Sequence, residues 1–271
     1  MAAESLAALA VGNLSIDYVT DSVVVHALID VTFEIAPGEI FGLCGESGSG
    51  KSTLAAAVPR LLPPPAVITS GHIHVGGKDV TALSARELRA LRGRQIGFVP
   101  QSGMNALHPQ LTVGEQITNV LRAHGRPSSR DTILATLTTA GLGREVAGAY
   151  AHELSGGMRQ RAALAIALAP EPGLLIMDEA LGALDVVVRH QICNTLVELS
   201  QRRGFAILFI SHDLPLTLAL ADRVGVLHEG HLVELGTAVE VRDRPQHAHT
   251  RTLLAAFADP LGSHRRVGQG P

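Results

Sequence analysis

The chain has 271 residues, 46% of them apolar, and a formal net charge of -3. That length suits one large domain with a small appendage and a sizeable core, and the charge gives no electrostatic case for nucleic acid. Aromatic residues make up only 3%, too few for a base-stacking surface. Mean hydropathy is +0.25. Yet the uncharged stretch Leu61 to Gly77 carries Pro63, Pro64 and Pro65, so no membrane span is predicted there. Glu4 and the lack of a basic residue ahead of the first apolar run argue against a secretory signal. Two remote cysteines, Cys44 and Cys193, read as small buried apolar residues in a reducing compartment, with no support for an iron–sulfur cluster. Among 13 histidines, the neighbours His72 and His74, and His247 and His249, show no convincing metal-ligand spacing and read as solvated side chains.

Residues 11–43 alternate β-branched stretches with turns. Val23–Val25 and Val31–Ile35 are predicted strands, and Pro37-Gly38 is a turn. The apolar run Ile40–Cys44 then leads into Gly45, Glu46, Ser47, Gly48, Ser49, Gly50, Lys51, Ser52 and Thr53, a complete G-x-x-x-x-G-K-S/T loop, followed by a helix-compatible run from Leu54 to Leu62. Glycines there let backbone N–H groups approach phosphate oxygens, and the helix start behind them adds a favourable dipole. Lys51 is placed to reach the β- and γ-phosphates, and Ser52 to ligate Mg²⁺.

Residues 71–80 are read as a hairpin with Gly76-Gly77 at its tip. Ser84 and Glu87 form a capping box opening a helix to Leu91, and Ile96–Val99 is a strand ending at Pro100-Gln101. Helical signals follow to about residue 170: a start at Thr112 with Glu115, another at Ser128 with Asp131 closed by Gly141, and a helix from Ser155 to Ala169. Strand and helix then alternate: strands at Leu174–Met177 and Phe205–Ile210, helices at Val186–Arg203 and Leu214–Ala221. Short strands follow near 224–227 and 231–235. This order implies a mostly parallel sheet covered by helices. Beyond Gly236 the chain turns polar and basic, with a helix at Thr250–Phe257 and a Gly/Arg tail read as disordered.

Two further segments carry chemistry. The strand ending in Asp178 and Glu179 delivers adjacent carboxylates where ligands gather in an open α/β sheet, one for Mg²⁺ and one to polarise an attacking water. Leu154 to Gln160 opens a helix with Ser155, Gly156 and Gly157, a second anion-binding terminus. Two such termini in one chain make sense if two chains complete each other's site.

The combination resembles the ATP-binding cassette (ABC) ATPases over roughly residues 9–240, and Leu154–Gln160 matches that family's signature. The resemblance implies a P-loop NTPase core with an N-terminal antiparallel β subdomain and an inserted helical subdomain at about 102–170, all within 1–236. It assigns Gln101 to the Q-loop, Ala183-Leu184-Asp185 to the D-loop and His212 to the switch histidine, with Tyr18 as the adenine-stacking candidate. It implies catalytic roles for Glu179, His212, Gln101 and Lys51, Mg²⁺ at Ser52, Gln101 and Asp178, and ATP contacts from Gly45 to Thr53, Ser155, Gly156, Gly157, Gln160 and Asp185.

Arg244–Leu254 in the extension 237–271 looks like the Pro-x-His-Pro-Tyr-Thr segment of oligopeptide, dipeptide and nickel importer ATPases, with Ala248 and His249 where Pro and Tyr are usual. Gln101–Gln116, including Met104 and Asn105, fits the same subfamily. Glu179-Ala180-Leu181-Gly182-Ala183 departs from the commoner Glu-Pro-Thr-Ser-Ala: Ala180 loses proline's rigidity and Leu181 loses a hydroxyl, while both carboxylates are kept. The implied protein is an ATPase at the cytoplasmic face of a membrane. Its partners would be a second ATPase subunit, two permeases and, indirectly, a solute-binding protein, with no nucleic acid. A soluble ABC ATPase of an assembly or carbon–phosphorus lyase complex is the alternative.

Overall fold

The structure, a computed structural model, describes residues 7–101, 106–182 and 184–258. Met104, Asn105, Ala183 of the expected D-loop and the tail from 259 onward lie outside the described residues. Two sheets organise the chain. The first holds β1 (Leu9–Val19), β2 (Val24–Ile35), β4 (Ala66–Val75) and β5 (Lys78–Asp79) in the order β2-β1-β4-β5, all antiparallel. The second holds β3 (Ile40–Cys44), β6 (Ile96–Val99), β7 (Leu174–Asp178), β8 (Ala206–Ile210), β9 (Arg223–His228) and β10 (His231–Thr237) in the order β10-β9-β3-β8-β7-β6. Every pairing from β9 to β6 is parallel, and only β10 runs against its neighbour. The hairpin expected at 71–80 is the β4–β5 pair, with Val75 opposite Lys78.

β7 and β8 are buried at every position, as continuous apolar runs require when helices cover both faces of a parallel sheet. On one face α1 (Lys51–Ala57) and the antiparallel sheet enclose Phe41, Leu54, Ile176 and Leu208. On the other, α5 (Gly156–Leu168) and α6 (Val186–Arg203) enclose Leu175, Met177, Leu196 and Ile207. Truncating one such side chain to Ala typically costs about 2–5 kcal/mol. The helical insertion, with α3 (Val113–Ala123), α4 (Arg130–Thr139) and α5, has its own core of Val113, Ile117, Leu121, Leu137 and Leu154. α2 (Ala85–Leu91) leads into β6, and α7 (Leu214–Leu220) and α8 (Ala238–Asp243) flank β9 and β10. α9 (Ala248–Ala258) packs through Leu253 and Leu254 on a cluster containing Cys44, Leu214, Val224 and Val226.

Three local expectations shift. Val24, Val25 and Val31–Ile35 belong to one strand, β2, with Val23 just outside it, and Asp30 within it takes a left-handed φ of 51°. The helix expected to reach Leu62 stops at Ala57, because Pro59 brings no N–H and Arg60 turns to φ 53°. α4 is capped by Ser129 rather than Ser128. The Ser129 hydroxyl accepts from the Thr132 N–H at 3.2 Å, while Ser128 Oγ takes the Arg122 Nε–H at 3.3 Å. The Ser84 and Thr112 capping boxes form as expected. Cys44 and Cys193 are free and buried, and burial pushes their thiols up to about 12 and about 11. Among the described residues no helix is long and apolar enough to cross a membrane.

Candidate active site

Four adjacent parallel strands, β3, β8, β7 and β6, each hand a candidate residue to the same sheet edge, just past their carboxyl ends. β3 leads into Gly45–Gly50 and Lys51, β7 ends at Asp178 beside Glu179, β8 precedes His212 and β6 precedes Gln101. Side chains over 160 positions apart in sequence therefore meet because parallel strands point the same way.

The loop is built around its glycines. Gly45 (φ 152°) and Gly50 (φ 103°) sit where a Cβ would run into the carbonyl oxygens of Leu227 and Ala27. Gly50 also stands at the N-cap of α1 with no side chain to accept its first-turn N–H groups. Each of α2 to α8 has such a side chain: Ser84, Thr112, Ser129, Ser155, Asp185, Asp213 and Thr237. The first helix alone among α1 to α8 keeps its orphan donors for an acceptor from outside.

Lys51 is buried and donates from Nζ to the Gly45 and Glu46 carbonyl oxygens at 2.9 and 2.6 Å and to Ser49 Oγ at 3.3 Å. Burial holds its pKa below the ordinary lysine value, with Glu179 and Asp178 opposing. Ser52 Oγ donates to Asp178 Oδ1 at 3.0 Å. Burial raises the Asp178 pKa, and the Ser52 hydrogen bond pulls it back. Glu179 stands at φ 45°, a strained conformation for a non-glycine residue, with its N–H bonded to the Ile210 carbonyl at 3.0 Å. Gln101 Nε2 donates to Glu179 Oε2 at 2.9 Å, and His212 Nδ1 lies 3.5 Å from the same oxygen. Gln101, Glu179 and His212 thus form one constellation, and Ser52 with Asp178 another beside it.

These residues fit a nucleoside triphosphate and a hard cation. The desolvated ammonium and free first-turn amides call for anionic oxygens, and a buried carboxylate beside a hydroxyl calls for a positive ion. Tyr18 OH lies 3.3 Å from Thr53 Oγ1, which puts the adenine-stacking candidate at the start of α1. Ala180 and Leu181, the first two departures after Glu179, are buried with Leu184 and Ile192, so Leu181 exchanges a hydroxyl for core packing.

The remaining candidates stand apart. Ser155 caps α5, accepting the Met158 N–H at 3.3 Å, and Asp185 caps α6, accepting the Val188 N–H at 2.9 Å. Among the described residues no hydrogen bond joins them to the loop 45–53. Ser155 is exposed and Gly156 and Gly157 are partly so, whereas Gln160 is buried with its Nε2 lacking a partner among the described residues. One neighbour of the loop escaped the sequence reading: His228 and His249 approach Glu46, although nothing in their spacing announces it.

Comparison with known proteins agrees with this geometry. Residues 28–182 match the family described as ABC transporter. A putative peptide import ATP-binding protein from Brucella ovis is 40% identical over 255 residues, covering 93% of this chain and 79% of the relative. The dipeptide transport ATP-binding protein DppD of Bacillus subtilis is 39% identical over 254 residues, covering 92% and 76%. A dimeric ATP-binding cassette solved in a post-hydrolysis state with ADP and Pi superposes with a TM-score of 0.77 at 28% identity, covering 85% of this chain and 98% of that one. The chain belongs to the ABC transporter family, as an ATP-binding, ATP-hydrolysing subunit.

Proposed function

We propose that this chain powers a membrane importer of peptides or a related small solute, working as one of two cassettes that close on ATP. The observation that carries the reading is the convergence of Lys51, Ser52, Asp178, Glu179, Gln101 and His212 at the ends of four neighbouring parallel strands. The relatives named for peptide and dipeptide import support transport over an assembly role.

In this reading the α1 amides and Lys51 hold the phosphates, and Tyr18 stacks on the adenine. Ser52, Asp178 and Gln101 would hold Mg²⁺, which when bound neutralises phosphate charge. Glu179 orients the attacking water, steadied by Gln101, and His212 contacts the γ-phosphate. Ser155, Gly156 and Gly157 of a second cassette, identical or a sister subunit, cover the nucleotide from the other side, with Asp185 and Gln160 supporting that face. ATP then favours the closed pair over the open one, and only that difference in affinity can drive a conformational change. Residues 1–236 form the ATPase domain, and 237–271 form an extension of the oligopeptide and dipeptide importer type. The chain sits peripherally at the cytoplasmic face of the membrane on two permeases, and a solute-binding protein delivers the cargo.

The test is purification from native membranes. Retention of two permeases, with Mg²⁺-dependent phosphate release that rises when a peptide-loaded binding protein is added, is the expected result. An active chain found only in a membrane-free complex would remove the transport reading.

A further inference from the structure

The fold brings together three residues that are remote in sequence and whose side chains have no part in the constellation above. Glu46 follows the first glycine of the phosphate loop, His228 ends β9 and His249 lies in the first turn of α9. One ligand atom from each lies within 4.8 Å of the other two. The His228 and His249 rings stack with centroids 3.7 Å apart and planes 21° apart. His249 Nε2 is buried and has no hydrogen-bond partner among the described residues.

The segment carrying His249 is firmly held. Glu234 on β10 accepts the Gln246 and His247 N–H groups at 2.7 and 3.0 Å, and the His249 N–H donates to His247 Nδ1 at 3.2 Å. An orphaned imidazole nitrogen on an anchored backbone, facing a second imidazole and a carboxylate, is an unsatisfied donor set. Solvated surface histidines do not account for it, because the Nε2 that needs a partner is cut off from solvent.

We propose that Glu46, His228 and His249 bind a divalent transition cation of the zinc class, tying α9 to the phosphate loop. Two imidazoles and one carboxylate suit Zn²⁺ and its neighbours and disfavour Mg²⁺ and Ca²⁺, which take oxygen ligands. Binding turns the rings out of their stack until the nitrogens converge, closing the ligand atoms to the roughly 3.3 Å edge of a tetrahedron with bonds of about 2.0–2.1 Å. The Glu46 carbonyl oxygen also accepts from Lys51 Nζ at 2.6 Å, so an ion on the Glu46 side chain restrains the loop from behind. His249 stands at the position where the resembling importer segment has tyrosine, which offers no imidazole ligand. The site does not rest on the transport reading.

The experiment uses the untagged, nucleotide-free full chain, stripped with a chelator and dialysed against buffered Zn²⁺, with bound metal counted. The expected result is one Zn²⁺ per chain in the micromolar range, weakened roughly tenfold or more by His249→Tyr and separately by His228→Ala. His72→Ala, on the unrelated pair in β4, leaves binding unchanged. X-ray absorption of the loaded chain should show only N and O ligands. Loss of the ion in both variants while circular dichroism and the thermal midpoint of the stripped protein hold supports the site. Equal Zn²⁺ binding by the wild type and both variants, or no micromolar binding at all, overturns it. Zn²⁺ captured at Ser52 and Asp178 would be insensitive to His249→Tyr, so it counts among the overturning outcomes.

Discussion

Two helices of this chain begin beside glycines and at segments that recognise ATP in the proposed cycle, yet they start in opposite ways. α1 begins at Gly50, which has no side chain to accept its N–H groups. α5 begins at Ser155, whose hydroxyl already takes the Met158 N–H. The first helix is left incomplete inside its own chain, with a desolvated lysine and a buried carboxylate alongside. The second is complete and accessible, with Ser155 exposed above a partly exposed Gly156-Gly157. A self-satisfied start costs the free chain nothing and can still offer the outer side of its serine and glycines to a neighbour. In the proposed cycle one end would bind the nucleotide and the other, on the facing cassette, would recognise that it has been bound.

The largest break in this contrast comes from the chemistry at the uncapped end. Glu179→Gln should lower ATP hydrolysis by about 10²–10⁴-fold while ATP binding persists, measured by phosphate release against equilibrium binding. Wild-type turnover in that variant would take Glu179 out of the role. Next, Lys51→Ala removes a charged hydrogen-bonding group and should weaken ATP binding roughly 10–100-fold, read by titration with a fluorescent analogue.

Asp178→Asn sharpens the contrast through stability. Burial raises the Asp178 pKa, so its charge destabilises the nucleotide-free fold. That penalty is present in full above the raised pKa and vanishes as the pH falls below the ordinary value of 3.8. The variant should gain about 0.5–2 kcal/mol at neutral pH yet lose Mg²⁺-dependent hydrolysis, and the gain should shrink on acidification. A variant less stable than wild type at pH 7 would contradict this. At the capped end the effect is smaller: Ser155→Ala should cost about 1 kcal/mol of unfolding free energy, seen in a denaturant titration, without changing the affinity of the isolated chain for ATP. The smallest response belongs to the two thiols. Cys44 and Cys193, buried and pushed up to about 12 and about 11, should resist alkylation until the chain unfolds.

Much of this was legible in the sequence because its signals are local. The phosphate loop, the capping boxes at Ser84 and Thr112 and the continuous apolar runs of β7 and β8 each declare themselves within a few residues. β1 is not legible as one long strand. Bulges between Val11 and Asp17 shift its register, and Asn13 takes φ 48°, so the period-two alternation is broken where it would be read. Two consecutive serines precede α4, and the hydrogen bond from the Thr132 N–H puts the cap at Ser129 rather than at the expected Ser128. The left-handed Glu179 and the approach of His249 to Glu46 depend on which strands lie side by side, and no spacing in one chain encodes that.

The most direct measurement is the structure of the Glu179→Gln protein trapped with ATP, with its sister subunit if it has one. The account predicts that the γ-phosphate held by Lys51 of one cassette also lies within hydrogen-bond distance of Ser155 or Gly157 of the facing cassette. An ATP-loaded assembly in which Leu154–Gln160 of either subunit touches no nucleotide would contradict it.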